Sequence, residues 1–145
     1  MPVPPLDEWR KRWENEGARR LGVRPAAAEP AGWARFVIDL PFGDERDGDE
    51  DFFHLALSYA VDVAALAAVL ARVDPEREQP NGTAALHLNV VGTPRGAVTV
   101  EGRVVHWEVP MALLEVVATD AEGRLIARGL SPYSLRAKAA EEAAP

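Results

Sequence analysis

The sequence predicts an α+β fold in which a curved antiparallel β-sheet wraps around one long central α-helix, with an extra helix at the N-terminus. The central helix is predicted at about 53–73, an almost unbroken apolar segment that is too long for a strand and rich in Ala and Leu. About four strands joined by short turns follow it, and short turns make neighbouring strands antiparallel. Such a sheet needs one apolar face covered, and the 53–73 helix is the only element apolar enough to cover it.

The composition is that of an ordinary globular protein. Of the 145 residues, 48% are hydrophobic and 27% are charged, so we expect one domain over residues 1–145. The net charge of -7 argues against nucleic acid as a partner, and the absence of Cys excludes disulfides, thiolate metal sites and a thiol nucleophile. The first residues contain no apolar signal core, so we expect a cytoplasmic protein.

The N-terminal part is expected to cover one end of the domain. Residues 6–21 read as an amphipathic helix with Asp7 as its N-cap. Residues 25–30 read as a connector or a poor strand, and residues 33–40 alternate like a strand with one dry face. The acidic segment 41–51 fails the spacing of an EF-hand and is expected to be a solvated loop.

The central helix carries a polar stripe formed by His54, Ser58 and Asp62. These residues are spaced at i, i+4 and i+8, and each step of four drifts by roughly 40°, so they lie on one side of the helix. A buried carboxylate is costly unless it is hydrogen-bonded, paired or protonated, so Asp62 has either a structural partner or a chemical role. The same carboxylate argues against a membrane-spanning helix, since Asp costs about 2.5 to 3.5 kcal/mol at the bilayer centre.

The C-terminal half reads as a meander of strands. Residues 73–82 are expected to form a polar turn, residues 120–123 a hairpin turn and residues 136–145 a frayed tail. The strands are expected at 83–91, 97–106, 111–119 and 124–135. A sheet of this kind around a long helix is the hotdog fold.

Several segments resemble the PaaI-type acyl-CoA thioesterases of the hotdog superfamily. Leu21-Gly22-Val23 is similar to the Leu-Gly-Ile that follows the N-terminal helix in that family. The segment TAALHLNVVGTP at 83–94 resembles the family's Thr-x-x-Leu-x-Leu-Asn strand that ends in Pro. The segment DAEGRLIA at 120–127 resembles its Asp-x-x-Gly-Arg-Leu hairpin, and residues 133–135 resemble its closing strand. These segments mark the fold and are not catalytic.

The resemblance implies thioester hydrolysis centred on Asp62. In the family an Asp or Glu on the central helix is the general base or the nucleophile, and a backbone N-H at the start of the helix polarises the thioester carbonyl. Counting back eight residues from Asp62, the usual distance in the family, gives His54 as the N-H donor. Phe52-Phe53-His54-Leu55 stands where the family has His-Gly-Gly, so the chain departs from the family there.

Two further residues are expected to contact the substrate. Ser58 lies one turn before Asp62, where it either bonds the carboxylate or positions water, or instead bonds the carbonyl of residue 54. Thr83 resembles a position that lines the pocket from the neighbouring subunit, and the alternative is that it simply begins a strand. His87 and His106 are isolated on strands, so we expect no metal site.

The resemblance also implies the ligand and the assembly. The expected substrate is an acyl or aroyl thioester of coenzyme A or of a carrier protein, with no other cofactor, and the expected assembly is a homodimer or a homotetramer built as a dimer of dimers. No membrane partner is expected. Two alternatives are a hotdog protein that binds an acyl ligand or acts as an assembly module without hydrolysis, and a dehydratase or hydratase that uses His54 and Asp62 as an acid/base pair.

Overall fold

The computed structural model describes residues 6–39 and 49–139, which contain three helices and seven strands in the order α-α-β-β-α followed by five strands. The helices are α1 (Leu6–Trp13), α2 (Glu16–Arg20) and α3 (Asp49–Arg72). The strands are β1 (Val23–Glu29), β2 (Trp33–Ile38), β3 (Glu78–Thr83), β4 (His87–Val90), β5 (Val98–Glu108), β6 (Met111–Thr119) and β7 (Leu125–Ala137).

All seven strands belong to one antiparallel sheet that wraps around α3. The order is β1-β2-β5-β6-β7-β3, and β4 also pairs with β7, so β3 and β4 follow one another along the same side of β7. The inner positions of β5 and β6 are buried and alternate with more exposed outer positions, as expected of a sheet with one face on the core. The predicted α+β hotdog architecture is therefore confirmed.

The backbone of α3 lies directly against the sheet at Gly102 on β5. A Cβ atom at this position would lie 2.6 Å from the carbonyl oxygen of Ala64 and 3.0 Å from the backbone nitrogen of Ala65. Ala64 and Ala65 are themselves fully buried. Small residues on both elements therefore let the helix backbone lie directly against the strand.

The predicted N-terminal helix is divided in two. Asn15 ends the first part and caps the second, because its side chain accepts a hydrogen bond of 2.9 Å from the N-H of Ala18. The side chain of Asp7, the expected N-cap, lies outside the described part.

The segment 25–30, expected to be a connector or a poor strand, belongs to β1 up to Glu29. Its proline is accommodated because β1 is an edge strand whose register shifts between Pro25 and Ala27.

The prediction of a polar turn over 73–82 is wrong for its second half. Residues from Glu78 onward form β3, which pairs with β7 and contains a register shift between Pro80 and Gly82. The polar composition fits a half-exposed edge strand as well as it fits a turn, which is why the pattern misleads. The strand expected at 83–91 is correspondingly reduced to β4.

The central helix begins at Asp49, four residues before its expected start, and ends at Arg72. Acidic residues favour a helix N-terminus, which accounts for the extension over 49–51. The rest of the acidic segment, residues 41–48, lies outside the described residues. By length and composition α3 is apolar enough to cross a membrane, but 61% of its most apolar window is buried in the protein, and core helices of soluble proteins meet the same test.

The predicted C-terminal hairpin is confirmed. β6 has the expected bounds of 111–119, and residues 120–124 connect it to β7. β7 continues to Ala137, two residues into the tail expected to fray. Residues 140–145 of that tail lie outside the described part.

Candidate functional site

Asp62 and Thr83 meet where the middle of α3 faces the end of β3. The Thr83 hydroxyl donates a hydrogen bond of 2.7 Å to Oδ1 of Asp62, whose side chain is half-buried. Thr83 and Asp62 belong to the same chain, so Thr83 reaches this site without a neighbouring subunit. Among the described residues no other group donates to Asp62, and its Oδ2 is left for a water molecule or a ligand.

Tyr133 lies next to this pair on the inner face of the sheet. It is buried on β7 directly opposite Thr83 of β3. Burial raises the pKa of Tyr133 above its ordinary value, and the negative charge of Asp62 raises it further, so the phenol is neutral near neutral pH. Sequence reasoning used residues 133–135 only as a fold marker. The alternating pattern of β7 places Tyr133 on the inner face, but its position beside Thr83 follows only from the pairing with β3.

The hydroxyl of Ser58 does not reach Asp62. It donates a hydrogen bond of 2.9 Å to the carbonyl oxygen of His54, one turn earlier on α3. Of the two arrangements open from the sequence, the structure has the bond within the helix. A hydroxyl used in this way can still accept a hydrogen bond from a ligand, and Ser58 is exposed.

His54 is the sixth residue of α3 rather than a residue of its first turn. In a regular α-helix the N-H of this residue is directed at the carbonyl of Glu50, four residues earlier. The unpaired N-H groups of α3 belong to its first turn, which begins at Asp49. The prediction that the helix begins near 53 is wrong, and the N-H of His54 is therefore not at the helix N-terminus. The side chain of His54 is exposed.

Large apolar side chains are exposed on α3 before Asp62 and at the end of β4. Phe52 and Leu55 on α3 are 41% and 57% exposed, and Leu55 lies seven residues before Asp62, on the same side of the helix. Val90 at the end of β4 and the following Val91 are 42% and 61% exposed. A ligand or a second protein chain would find apolar surface at these positions.

A second carboxylate, Asp120, is more deeply buried and has a structural role. It accepts hydrogen bonds from the N-H groups of Arg95, Glu122 and Arg124 and from the Arg124 guanidinium. Burial would raise its pKa, but these donors outweigh burial and lower the pKa from its usual 3.8 to about 2. Asp120 thus ties the turn at Arg95 to the hairpin at 120–124, which explains the fold marker in that segment.

The other histidines belong to no metal site in the described part of the chain. His106 lies 3.2 Å from Oε2 of Glu108, and His87 is exposed on β4. Within residues 6–39 and 49–139, no group of three or more His, Asp or Glu side chains is placed to hold a metal ion.

The sheet and its central helix define the class to which the chain belongs: it is a hotdog-fold protein. It is similar to a Pseudomonas aeruginosa protein of unknown function, described as a probable thioesterase, with 22% identity and a TM-score of 0.74 over 95% of this chain and 99% of that one. It is also similar to the PaaI protein of the phenylacetic acid degradation operon of E. coli, with 13% identity and a TM-score of 0.65 over 89% and 88% of the two chains.

A third similar structure is a hypothetical thioesterase from Streptococcus pneumoniae, solved with coenzyme A, at 13% identity and a TM-score of 0.61 over 80% of this chain and 87% of that one. At such identities the likeness shows the fold alone. No protein-family model matches the chain, and no curated protein matches its sequence.

Proposed function

We propose that the protein is a thioesterase that hydrolyses an acyl or aroyl thioester of coenzyme A or of a carrier protein. The observation that carries the proposal is the half-buried Asp62 of α3, whose Oδ1 is held by the Thr83 hydroxyl while Oδ2 has no donor among the described residues. A carboxylate fixed by one oxygen is oriented for chemistry at the other. The fold shared with proteins described as thioesterases supports the same reaction.

Asp62 has two routes to hydrolysis. As a general base it takes a proton from water, the hydroxide adds to the thioester carbonyl, the C-S bond breaks and the thiolate leaves to be protonated. As a nucleophile its carboxylate displaces the thiolate to form a mixed anhydride, which water then hydrolyses to the acid and free Asp62. In both routes Thr83 holds Oδ1 in place.

The oxyanion that forms on the carbonyl needs a donor, and the resemblance assigns this role to the N-H of His54. In the structure this N-H lies in the second turn of α3. We propose that substrate binding opens the first turn of α3, so that the N-H of His54 is released from the carbonyl of Glu50 and turns to the substrate. Ser58 and Thr83 are proposed to line the same pocket, with the Ser58 hydroxyl accepting a hydrogen bond from the substrate.

The position of the His54 N-H in the second turn of α3 favours a second candidate, a hotdog protein that binds an acyl ligand without hydrolysing it. Phe52-Phe53-His54-Leu55 continues the helix where a thioesterase of this kind has a glycine turn. If the first turn of α3 stays closed, no N-H is available at the expected place, and a bound thioester would persist.

A homodimer is proposed as the active assembly. The side of the sheet that carries β3 and β4 ends without a further strand among the described residues, and the exposed apolar residues Leu55, Val90 and Val91 lie on elements near this edge. Light scattering on the wild type is expected to give the mass of two chains or four. Val91→Glu is expected to lower this mass, and a wild type with the mass of one chain would contradict the assembly.

Thiol release tests the function. Free thiol is measured with a panel of aliphatic and aromatic acyl-CoA thioesters, for the wild type, Asp62→Asn and the control Asp39→Asn, which alters an exposed carboxylate on another segment. Asp62→Asn is expected to lower kcat by about 100- to 10,000-fold, the usual contribution of a general base. The control should retain activity.

Two outcomes would count against the proposal. If folded Asp62→Asn retains wild-type activity, Asp62 is not the catalytic group. If the folded wild type binds acyl-CoA and releases no thiol, the second candidate is favoured. In a single turnover in heavy-oxygen water, an Asp62 oxygen in the first molecule of product identifies the nucleophilic route, because it reaches the product only when a mixed anhydride forms and water opens it at the Asp62 carbonyl.

A further inference from the structure

A cavity at the far end of α3 brings together two cationic side chains that are distant in the sequence. Its volume is about 400 Å³, and its lining includes Arg12 of α1, Lys138 after β7, and the apolar residues Leu70 and Val73. Lys138 donates a hydrogen bond to the carbonyl oxygen of Pro75. Neither cation has a carboxylate partner in the part of the chain that the structure describes, so their charges are available to a ligand.

The only carboxylate that lines this cavity within the described residues is Glu78, and both of its oxygens already accept hydrogen bonds. Oε1 accepts from the indole N-H of Trp107 at 3.0 Å, and Oε2 accepts from the N-H of Asp74 at 3.3 Å. Arg136, on the strand that pairs with β3, adds a third cation nearby and bonds the neutral side chain of Gln79. In a chain with a net charge of -7, the described lining of this cavity thus has two cations and one carboxylate, whose oxygens are already engaged.

Two rows of residues, one on α3 and one on β3, lead from Asp62 to this cavity, and the path between them is called the furrow. On α3 it is formed by Asp62, Leu66 and Leu70, which are spaced at i, i+4 and i+8 and are all half-buried. On β3 it is formed by Thr83 and Pro80, which pair with inner-face residues of β7 and so face the helix. The two rows begin at the hydrogen bond between Thr83 and Asp62 and end at the cavity, which Leu70 and Pro80 both line.

The length and chemistry of the furrow fit one class of ligand. From Asp62 to Leu70 the helix rises about 12 Å, and from Thr83 to Glu78 the strand extends about 16 Å. A coenzyme A thioester has a reactive carbonyl at one end, a long uncharged pantetheine arm and a phosphate-rich nucleotide at the other end. With the carbonyl at Asp62, the arm lies against the leucines, and the phosphates reach Arg12 and Lys138.

We propose that this cavity binds the nucleotide phosphates of coenzyme A, and that the furrow holds the pantetheine arm. This inference rests on the proposed function and makes the substrate a coenzyme A thioester rather than a thioester on a carrier protein. Arg12 and Lys138 bind the phosphates as charge-assisted donors. They belong to segments separated by more than a hundred residues, so the sequence alone shows no basic block.

Calorimetry with adenosine 3′,5′-bisphosphate tests the site without any reaction. The wild type is expected to bind one molecule per chain, more weakly as salt rises. Lys138→Gln removes the charge but retains a donor for Pro75, and Arg12→Gln removes the second charge. Each is expected to weaken binding about five- to tenfold, as for a lost charge-assisted hydrogen bond. The control Arg24→Gln removes an exposed cation on β1, at the opposite edge of the sheet, which has no ion pair with any residue that the structure describes, and is expected to leave binding unchanged.

Kinetics separates this inference from the proposed function. In Lys138→Gln the KM for an acyl-CoA is expected to rise about five- to tenfold, and the KM for the same acyl group on pantetheine should change much less. No binding of the nucleotide to the wild type, or an equal loss in Arg24→Gln, overturns the inference. Turnover of carrier-protein thioesters alone, without nucleotide binding, also overturns it but leaves the thioesterase standing. Nucleotide binding that depends on Lys138 without any thiol release supports the site and refutes the hydrolase.

Discussion

The contact between Gly102 and α3 predicts a large effect from one added methyl group. In Gly102→Ala the new Cβ atom would lie 2.6 Å from the carbonyl oxygen and 2.8 Å from the carbonyl carbon of Ala64. Both distances are shorter than a van der Waals contact, and the atoms belong to backbone inside a helix that cannot turn aside like a side chain. The helix or β5 must therefore move, and overpacking of this kind costs about 1 to 3 kcal/mol.

Thermal unfolding followed by circular dichroism measures this cost at a fixed protein concentration. For a chain of this size, 1 kcal/mol corresponds to a change in Tm of about 3 °C, so Gly102→Ala is expected to lower Tm by about 3 to 10 °C. Gly17→Ala is the matched control. Gly17 lies in α2, where the nearest contact of an added Cβ is Oδ1 of Asn15 at 3.3 Å, so only the capping side chain must shift slightly and the substitution is expected to change Tm much less than Gly102→Ala.

A double substitution distinguishes the backbone contact from ordinary crowding. Ala64→Gly removes a side chain but leaves the carbonyl that meets Gly102, so it should not rescue Gly102→Ala. Rescue of stability by Ala64→Gly, or a Gly102→Ala variant as stable as the wild type, would refute the reasoning.

Three further predictions concern the two carboxylates and their neighbours. Thr83→Val removes the donor to Asp62 with little change of shape. We expect kcat for thioester hydrolysis to fall about tenfold, which corresponds roughly to the free energy of one hydrogen bond to a charged group. An unchanged kcat would mean that Asp62 needs no orientation by Thr83. Because the pKa of Asp120 is lowered to about 2 in the folded protein, its contribution to stability is present above about pH 4 and is lost as the pH falls towards 2. Thermal unfolding at a series of pH values should show this loss in the wild type and a flatter acid limb in Asp120→Asn. Ultraviolet titration should place the pKa of Tyr133 above 10, with Tyr133→Phe assigning the signal, and Asp62→Asn should lower this pKa because one of its two causes is removed.

The elements with clear periodicity were predictable from the sequence. The long apolar run in α3 is compatible only with a buried helix, and the strict alternation of β6 only with a strand that has one buried face. The type and approximate extent of both elements therefore follow from the pattern alone. The edge strands β1 and β3 contain proline and polar residues, and β3 is half-exposed throughout. A strand that buries little has no strong hydrophobic pattern, so pairing with its neighbour decides its conformation.

The candidate site was only partly predictable, for a related reason. Asp62 stands out because it is the only carboxylate in the apolar run at 53–73, and that signal is local. Its relation to Thr83 and Tyr133 depends on the register of β3 against β7, which brings together residues from three elements. The cavity that contains Arg12 and Lys138 depends in the same way on the packing of the two ends of the chain. No spacing within one segment can indicate such contacts.

The tight packing of α3 on the sheet also bears on how proteins with this fold acquire new substrates. Ala64 and Ala65 lie so close to β5 at Gly102 that no ligand can enter between helix and strand there. For the proposed thioesterase, the contacts of α3 with the substrate are expected from half-exposed and exposed positions such as Leu55, Asp62 and Leu66. Substitutions at exposed positions usually change stability by less than about 0.5 kcal/mol. Under the proposed function, substitutions at an exposed position such as Leu55 would therefore alter acyl selectivity with little effect on folding, while the contact at Gly102 stays unchanged.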